Sequence, residues 1–281
     1  MLQIITDSAS DITLSQAAEM DIHIVPLNIQ FADGACPQET DEDFDIFYER
    51  LAASENLPTT SQPAPELYLK HFLDAKEKGD DVLVLTLSSG LSGTINAARI
   101  AKEMSGYDRI YVMDSRHAIA SQRILVEYAV RLRGEGLGTQ EIIEKVEALR
   151  DRATANGVID TLTYLRKGGR IPAALALLGE AVHIKPVILL EDTILKTIGK
   201  VMGRKAGKKM LHQSLEAHMP DPGFPVYFLY TYDRHIGEEF MAETIAKYSL
   251  QNHNCSLIPV GGVIGTHLGP NAVGIAYVME K

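Results

Sequence analysis

Three short apolar runs, each closed by a hydroxyl-bearing polar cluster, constrain this chain more than any other feature. The runs cover residues 3–6, 81–87 and 109–113. Nearly unbroken apolar stretches of this length suit strands buried on both faces of a parallel sheet. Helical patterns lie between them. Thr40 is placed to cap a helix over 43–53 whose first turn is acidic, and the pattern Pro65–Lys78 ends at Gly79, a good stop signal. Ile95, Ala98, Ala101 and Met104 share one face of a helix starting near Ser92, and helices over 118–133 and 140–155 follow. Strands and helices in alternation predict an α/β domain, a parallel sheet with helices on both faces.

After residue 156 the rhythm changes. Residues 184–191 and 194–199 read as an antiparallel pair turning at Glu191-Asp192-Thr193. A helix over 204–218, a strand over 226–231, a helix over 238–249 and strands over 256–260 and 273–279 complete the pattern. This predicts a C-terminal α+β domain with a mixed or antiparallel sheet. The expected division is 1–156 and 157–281, and 281 residues are enough for two cores.

Composition narrows the function classes. Hydrophobic residues make up 46% and charged residues 23%, and no apolar run is long enough to span a membrane. The first five residues read as a strand, not as an export signal, so the expectation is a cytoplasmic chain without stable membrane insertion. Cys36 and Cys255 stand alone, which favours reduced thiols. A formal net charge of −10 speaks against general nucleic-acid binding. The charge is uneven: residues 166–209 hold ten Lys or Arg against Glu180, Glu191 and Asp192, while 33–49 hold seven acids and no base. The basic stretch reads either as a docking face for an acidic partner or as a solvated helix face. Nothing in the pattern calls for more than a monomer.

The candidate chemistry lies just past the three runs. Asp7-Ser8-Ala9-Ser10-Asp11, Ser88-Ser89-Gly90-Leu91-Ser92-Gly93-Thr94 and Asp114-Ser115-Arg116-His117 would share one edge of the sheet, where ligands bind. Each cluster taken singly could be ordinary turn and cap chemistry. The second combines glycines, serines and a helix start, a seat for a carboxylate or phosphate. It lacks the lysine of a P-loop and the final glycine of a nucleophile elbow. Asp7 has no second acid two residues on, and the histidines show no metal spacing. A serine hydrolase or acyltransferase using Ser92, with His267 or His117 as base, is the catalytic alternative. Two further segments read as specialised loops: Pro58-Thr59-Thr60-Ser61-Gln62-Pro63-Ala64-Pro65, stiff and hydroxyl-rich, and the glycine-rich stretch 261–271 around His267.

Six strings in order carry a resemblance to a known family. They are ITDSASD at Ile5–Asp11, TSQP at Thr60–Pro63, SSGLSGT at Ser88–Thr94, YLRKGGRI at Tyr164–Ile171, IKPV at Ile184–Val187 and GTHLGPNAVG at Gly265–Gly274. Over nearly its whole length the chain resembles the DegV family of bacterial fatty-acid-binding proteins. The resemblance implies two α/β-type domains, a buried long-chain fatty acid, and neither enzymatic activity nor a cofactor or metal. It implies that Thr60 and Ser92 hydrogen-bond the carboxylate, that Arg170 and His267 stand close by, and that Ser61, Gly93 and Gly169 support the loops. It further implies presentation of the lipid to a separate ATP-dependent fatty acid kinase for phospholipid synthesis, with Arg204 matching a kinase-contacting position. The apolar segment 171–182, with Ala173, Ala174 and Leu177, would line the tail pocket or form a plain core helix. Ala64 and Asn271 depart from the family pattern, and Asn271 stands where glycine is common.

Overall fold

The computed structural model describes residues 1–171 and 184–281; the expected tail-lining segment 171–182 lies outside them except for Ile171. The first half contains β1 (Leu2–Asp7), α1 (Leu14–Glu19), β2 (His23–Val25), β3 (Asn28–Phe31), β4 (Gly34–Ala35) and α2 (Asp41–Ala53). It continues with β5 (Thr59–Ser61), α3 (Pro65–Lys78), β6 (Asp81–Thr86), α4 (Thr94–Ser105), β7 (Ile110–Asp114), α5 (Ile119–Gly134) and α6 (Thr139–Arg150). Strands β2-β1-β6-β7 form an all-parallel sheet in that order. Its strands are buried on both faces, as their unbroken apolar runs require. Ile5, Val82 and Val84 pack against Tyr68 and Phe72 of α3 and Ala97 and Ala101 of α4, while Ile4, Leu83 and Leu85 face the opposite side.

The remaining elements are β8 (Ala153–Val158), α7 (Thr163–Lys167), β9 (Ile184–Glu191), β10 (Ile194–Met202), α8 (Gly203–Ala217), β11 (Val226–Tyr230), α9 (Arg234–Tyr248), β12 (Cys255–Pro259), α10 (Gly262–Leu268) and β13 (Val273–Val278). Six of them make a mixed sheet, ordered β10-β9-β8-β13-β11-β12. Period-2 alternation again sorts the side chains. Val226, Phe228, Ile275 and Tyr277 pack on Leu211 and Leu215 of α8 and Phe240 of α9; Tyr227, Leu229, Ala276 and Val278 face the first sheet. Helix α5 lies between the two sheets, and its Ile124, Leu125 and Ala129 belong to the same core cluster as Ile4 and Ala276. The expected class, a parallel N-terminal sheet flanked by helices and a mixed C-terminal sheet, is the observed one.

Several local expectations change. The helix expected over 140–155 ends at Arg150, and residues 153–158 form β8. Alanine favours helix, but propensity is a weak prior; β8 gains ladders to both β13 and β9, and that pairing overrides it. The expected division at 156/157 falls inside this strand. A small antiparallel sheet, β4-β3-β5, was not legible: its strands span only two to four residues. It places Thr60 opposite Ile29. Residues 261–271, expected as a loop, contain α10 instead. Cys36 and Cys255 are both free.

Because α5 serves both sheets, truncating it is expected to cost the whole fold. Leu125 is fully buried, and Leu125→Ala should lower unfolding free energy by about 2–5 kcal/mol in urea titration. A loss under about 0.5 kcal/mol, the level of an ordinary surface change, would contradict the central place given to this helix.

Candidate functional site

The carboxyl edge of the parallel sheet faces the inner side of the mixed sheet across an apolar chamber. Leu87, Leu91 and Ile119 contribute one wall, and Ile188, Leu190 and Leu229 another. The space between atoms, mouth and adjoining solvent included, is about 1090 Å³. Part of the wall is bare backbone. Gly157 of β8 and Gly274 of β13 are register partners, beside the pair Ala155 and Ala276. A strand glycine often marks close approach of another group to the backbone.

One end of the chamber is polar and open to solvent. Thr60, Ser61, Gln62, Ser92, Gly93, Arg170 and His267 meet there, with Ser61, Gln62 and Arg170 exposed. Thr60 Oγ1 and His267 Nε2 lie 3.0 Å apart. Ser92 Oγ is 2.9 Å from Thr94 Oγ1, just before α4, whose first N–H groups have no partner within the helix. Arg170 donates from Nε to the Leu91 carbonyl at 3.1 Å and from Nη1 to the Gly168 carbonyl at 2.7 Å, so its guanidinium ties the loop that carries Ser92 to its own turn after α7.

Electrostatics fix the state of His267. Burial, and secondarily the charge of Arg170, push its pKa down to about 4, so the ring is neutral at physiological pH. Nδ1 is buried without a hydrogen-bond partner among the described residues. A buried unpaired N–H is rarer than a buried unpaired acceptor, which favours the tautomer protonated at Nε2. That proton is donated to Thr60 Oγ1, and the threonine hydroxyl is left free to donate into the chamber.

The structure thus brings Thr60, Ser61, Ser92, Gly93, Arg170 and His267 to one end of one chamber. Gly169 is not among the lining residues; it has φ 69° and serves the turn after α7. Its neighbour Gly168 is the one in contact, since a Cβ there would run into the His267 imidazole. Arg204 lies away from the chamber lining, at the start of α8, with Nη2 3.6 Å from Asp160, which also accepts from Lys185. The first and third polar clusters hold turns. Asp7 accepts from the Leu87 and Ala9 N–H groups, Asp114 from those of Ser89 and Arg116, and His117 faces the Arg150 carbonyl. Asn271 has φ 63°, the left-handed conformation that glycine adopts most readily. No cluster of three metal-ligating side chains forms among the described residues.

Sequence reasoning missed Gly168, Gln62 and the Gly157–Gly274 floor. Asn156 and Gly157 flank the expected division between domains, which hides their place in a strand.

Comparison with known proteins agrees with this architecture. A family model described as "Uncharacterised protein, DegV family" matches residues 1–280. A DegV domain-containing protein of Caldanaerobacter subterraneus subsp. tengcongensis is 32% identical over 284 residues, covering 98% of either chain. Among solved structures, a fatty-acid-binding DegV family protein from Thermus thermophilus superposes with TM-score 0.88 at 28% identity, covering 99% of both chains. A stearic-acid-binding protein from Eubacterium ventriosum gives TM-score 0.83 at 27% identity, covering 100% of this chain and 99% of its own.

The state of His267 can be tested directly. A histidine whose folded pKa lies below its unfolded value adds stability above about pH 6.5, and that contribution declines as pH falls toward about 4. Asp7, pushed up to about 6 by burial, acts oppositely: its contribution is present below about 3.8 and is lost as pH rises through about 6. The two trends offset each other in global unfolding, so a site-resolved probe is needed. Imidazole ¹⁵N shifts should show His267 neutral, protonated at Nε2, down to about pH 4. A midpoint near the usual 6.5 would refute the buried, neutral ring.

Proposed function

The chain belongs to the DegV family, and we propose that it binds a long-chain fatty acid, carboxylate at the polar end and tail in the chamber. The observation that carries this reading is the joining of an apolar cavity to a hydroxyl-rich end formed by Thr60, Ser61 and Ser92. Thr60 and Ser92 would donate to the carboxylate, with Arg170 and His267 completing its surroundings. Similar proteins described as fatty-acid-binding support the choice of ligand.

The energetics are compatible with such a ligand. About fifteen methylenes at ~0.8 kcal/mol each yield roughly 12 kcal/mol on burial. Immobilising the chain and closing the site offset much of that, leaving tight, reversible binding. The carboxylate is the costly end, because an unpaired buried anion loses several kcal/mol or more. The hydroxyl donors, the start of α4 and the partly exposed guanidinium answer that cost.

The protein then acts in the cytoplasm as a carrier and not as a catalyst, offering the lipid to a fatty acid kinase; among the described residues no helix is long and apolar enough to cross a membrane. Against the hydrolase alternative, His267 hydrogen-bonds Thr60 while Ser92 bonds Thr94, so Ser92 has no base in contact among the described residues. Arg204 is the docking residue this reading nominates. Exposed Lys205 and Lys209 of the same helix, without ion partners among the described residues, would extend that face.

Mass spectrometry of an organic extract from the purified protein should find a fatty acid near one equivalent. Ser92→Ala should weaken titrated binding about tenfold, the loss of one charge-assisted hydrogen bond, without unfolding the protein. Gly157→Val should nearly abolish binding, since the chamber floor is filled at a site where a Cβ meets only ordinary contacts, the nearest at 3.5 Å. Full fatty-acid affinity in both variants would remove the chamber from consideration.

A further inference from the structure

The β9–β10 hairpin extends past the sheet that carries it. Its ladder to β8 ends at the pair Asn156–Leu189, whereas the β9–β10 ladder runs on to Glu191–Ile194. The last residues of β9 and the first of β10 therefore pair only with each other. Leu190 and Leu195 are partners across this projecting end, and both line the chamber.

The tip is held in an unfavourable conformation. Asp192 and Thr193 have φ of 49° and 72°. Two left-handed residues suit the twist of a two-residue hairpin turn; aspartate is a usual first occupant, but the second is usually glycine. A β-branched residue such as Thr193 keeps this conformation only when its surroundings enforce it. Lys196 pairs with Glu191 at 2.7 Å and Asp192 at 2.6 Å, within the hairpin itself. Across to the first sheet, one hydrogen bond joins the tip among the described residues: the fully buried Ser88 donates its hydroxyl to the Thr193 carbonyl at 2.7 Å. Beside it the tip lies directly on Gly90, where a Cβ would come within 2.9 Å of the Ile194 side chain and nearer still to Thr193.

We propose that this hairpin end is a hinged wall of the chamber, latched by the Ser88–Thr193 hydrogen bond, and that its release admits and discharges the acyl tail from the side. The inference rests on the fatty-acid reading for its ligand, though not for its mechanics. A projecting two-stranded end with a strained tip residue, Thr193, is poised to move, and a single neutral hydrogen bond is weak enough to open on the time of exchange. A side entry also spares the charged carboxylate a passage through the apolar chamber, because the head can stay at its polar mouth while the tail swings in.

A gate and a static wall differ in their kinetics. While the closed form stays dominant, weakening a latch speeds entry and exit alike and leaves the equilibrium constant nearly unchanged. Stopped-flow binding of cis-parinaric acid, a fluorescent fatty acid, to the full chain should show both rates rising about threefold to tenfold in Ser88→Ala, the loss of one hydrogen bond. Gly90→Ala, which wedges the tip away from the opposite side, should act in the same direction. Unchanged rates, or a faster exit matched by an equally weaker affinity, would overturn the gate. Should the unmodified protein take up no probe, the fatty-acid reading fails separately. Hydrogen exchange at residues 190–196 then decides the mechanics: Ser88→Ala speeds it locally if the wall is hinged and leaves it unaltered if not.

Discussion

A fully buried carboxylate organises the edge on which the site is built. Asp7, at the end of β1, accepts hydrogen bonds from the Leu87 N–H at 2.7 Å, the Ala9 N–H at 3.1 Å and the Gln122 side chain at 3.3 Å. Those donors belong to the turn after β6, the turn after β1 and the first part of α5. One side chain thereby registers three segments whose backbones carry no ladder to one another at that height. Burial raises its pKa to about 6 against these hydrogen bonds, so the carboxylate is held ionised near neutrality at a cost in stability. The return is a fixed starting point for the 88–94 turn. Ser92 can sit at the rim because Leu87, five residues before it, is tied to β1.

From that edge the two sheets divide the work. The parallel sheet supplies polar turns, because its strand ends all point the same way and their N–H and C=O groups must be answered there. The mixed sheet supplies an apolar face with small residues in the middle strands, Ala155, Gly157, Gly274 and Ala276. Neither is sufficient for an amphipathic ligand. Helix α5 holds them at a fixed separation, and α10 leans across to bring His267 onto Thr60, two residues more than two hundred positions apart in the chain.

The long, strongly patterned elements were legible in the sequence. Pro65–Lys78 ends where Gly79 takes φ 69°, and Thr40 caps α2 through a reciprocal pair with Asp43. The short ones were not, because a strand such as β5 shows no periodicity of its own and exists only through its pairing with β3. α10 was hidden for another reason. Its glycines suggest a loop, but they are there for packing: a Cβ on Gly262 would strike Phe47, and one on Gly265 would strike Tyr48. The head-group residues were nominated from polar strings and the resemblance they carry. The chamber floor was not, since glycine and alanine carry no chemical signature until a strand places them face to face.

The polar end also accounts for release on the proposed fatty-acid reading. A buried arginine or lysine opposite a carboxylate would be costly to separate, since each partner would be left as an uncompensated charge. Here the ring of His267 is neutral, its pKa lowered by burial to about 4. Arg170 is exposed, and two of its donors are already committed to the carbonyls of Leu91 and Gly168. What remains for the anion is mainly hydroxyl hydrogen, free to turn back toward neighbouring oxygens when the ligand leaves: Ser92 has Thr94 within 2.9 Å. On the proposed fatty-acid reading, affinity resides in the tail and orientation in the head, so the carboxylate is held in place without being held fast.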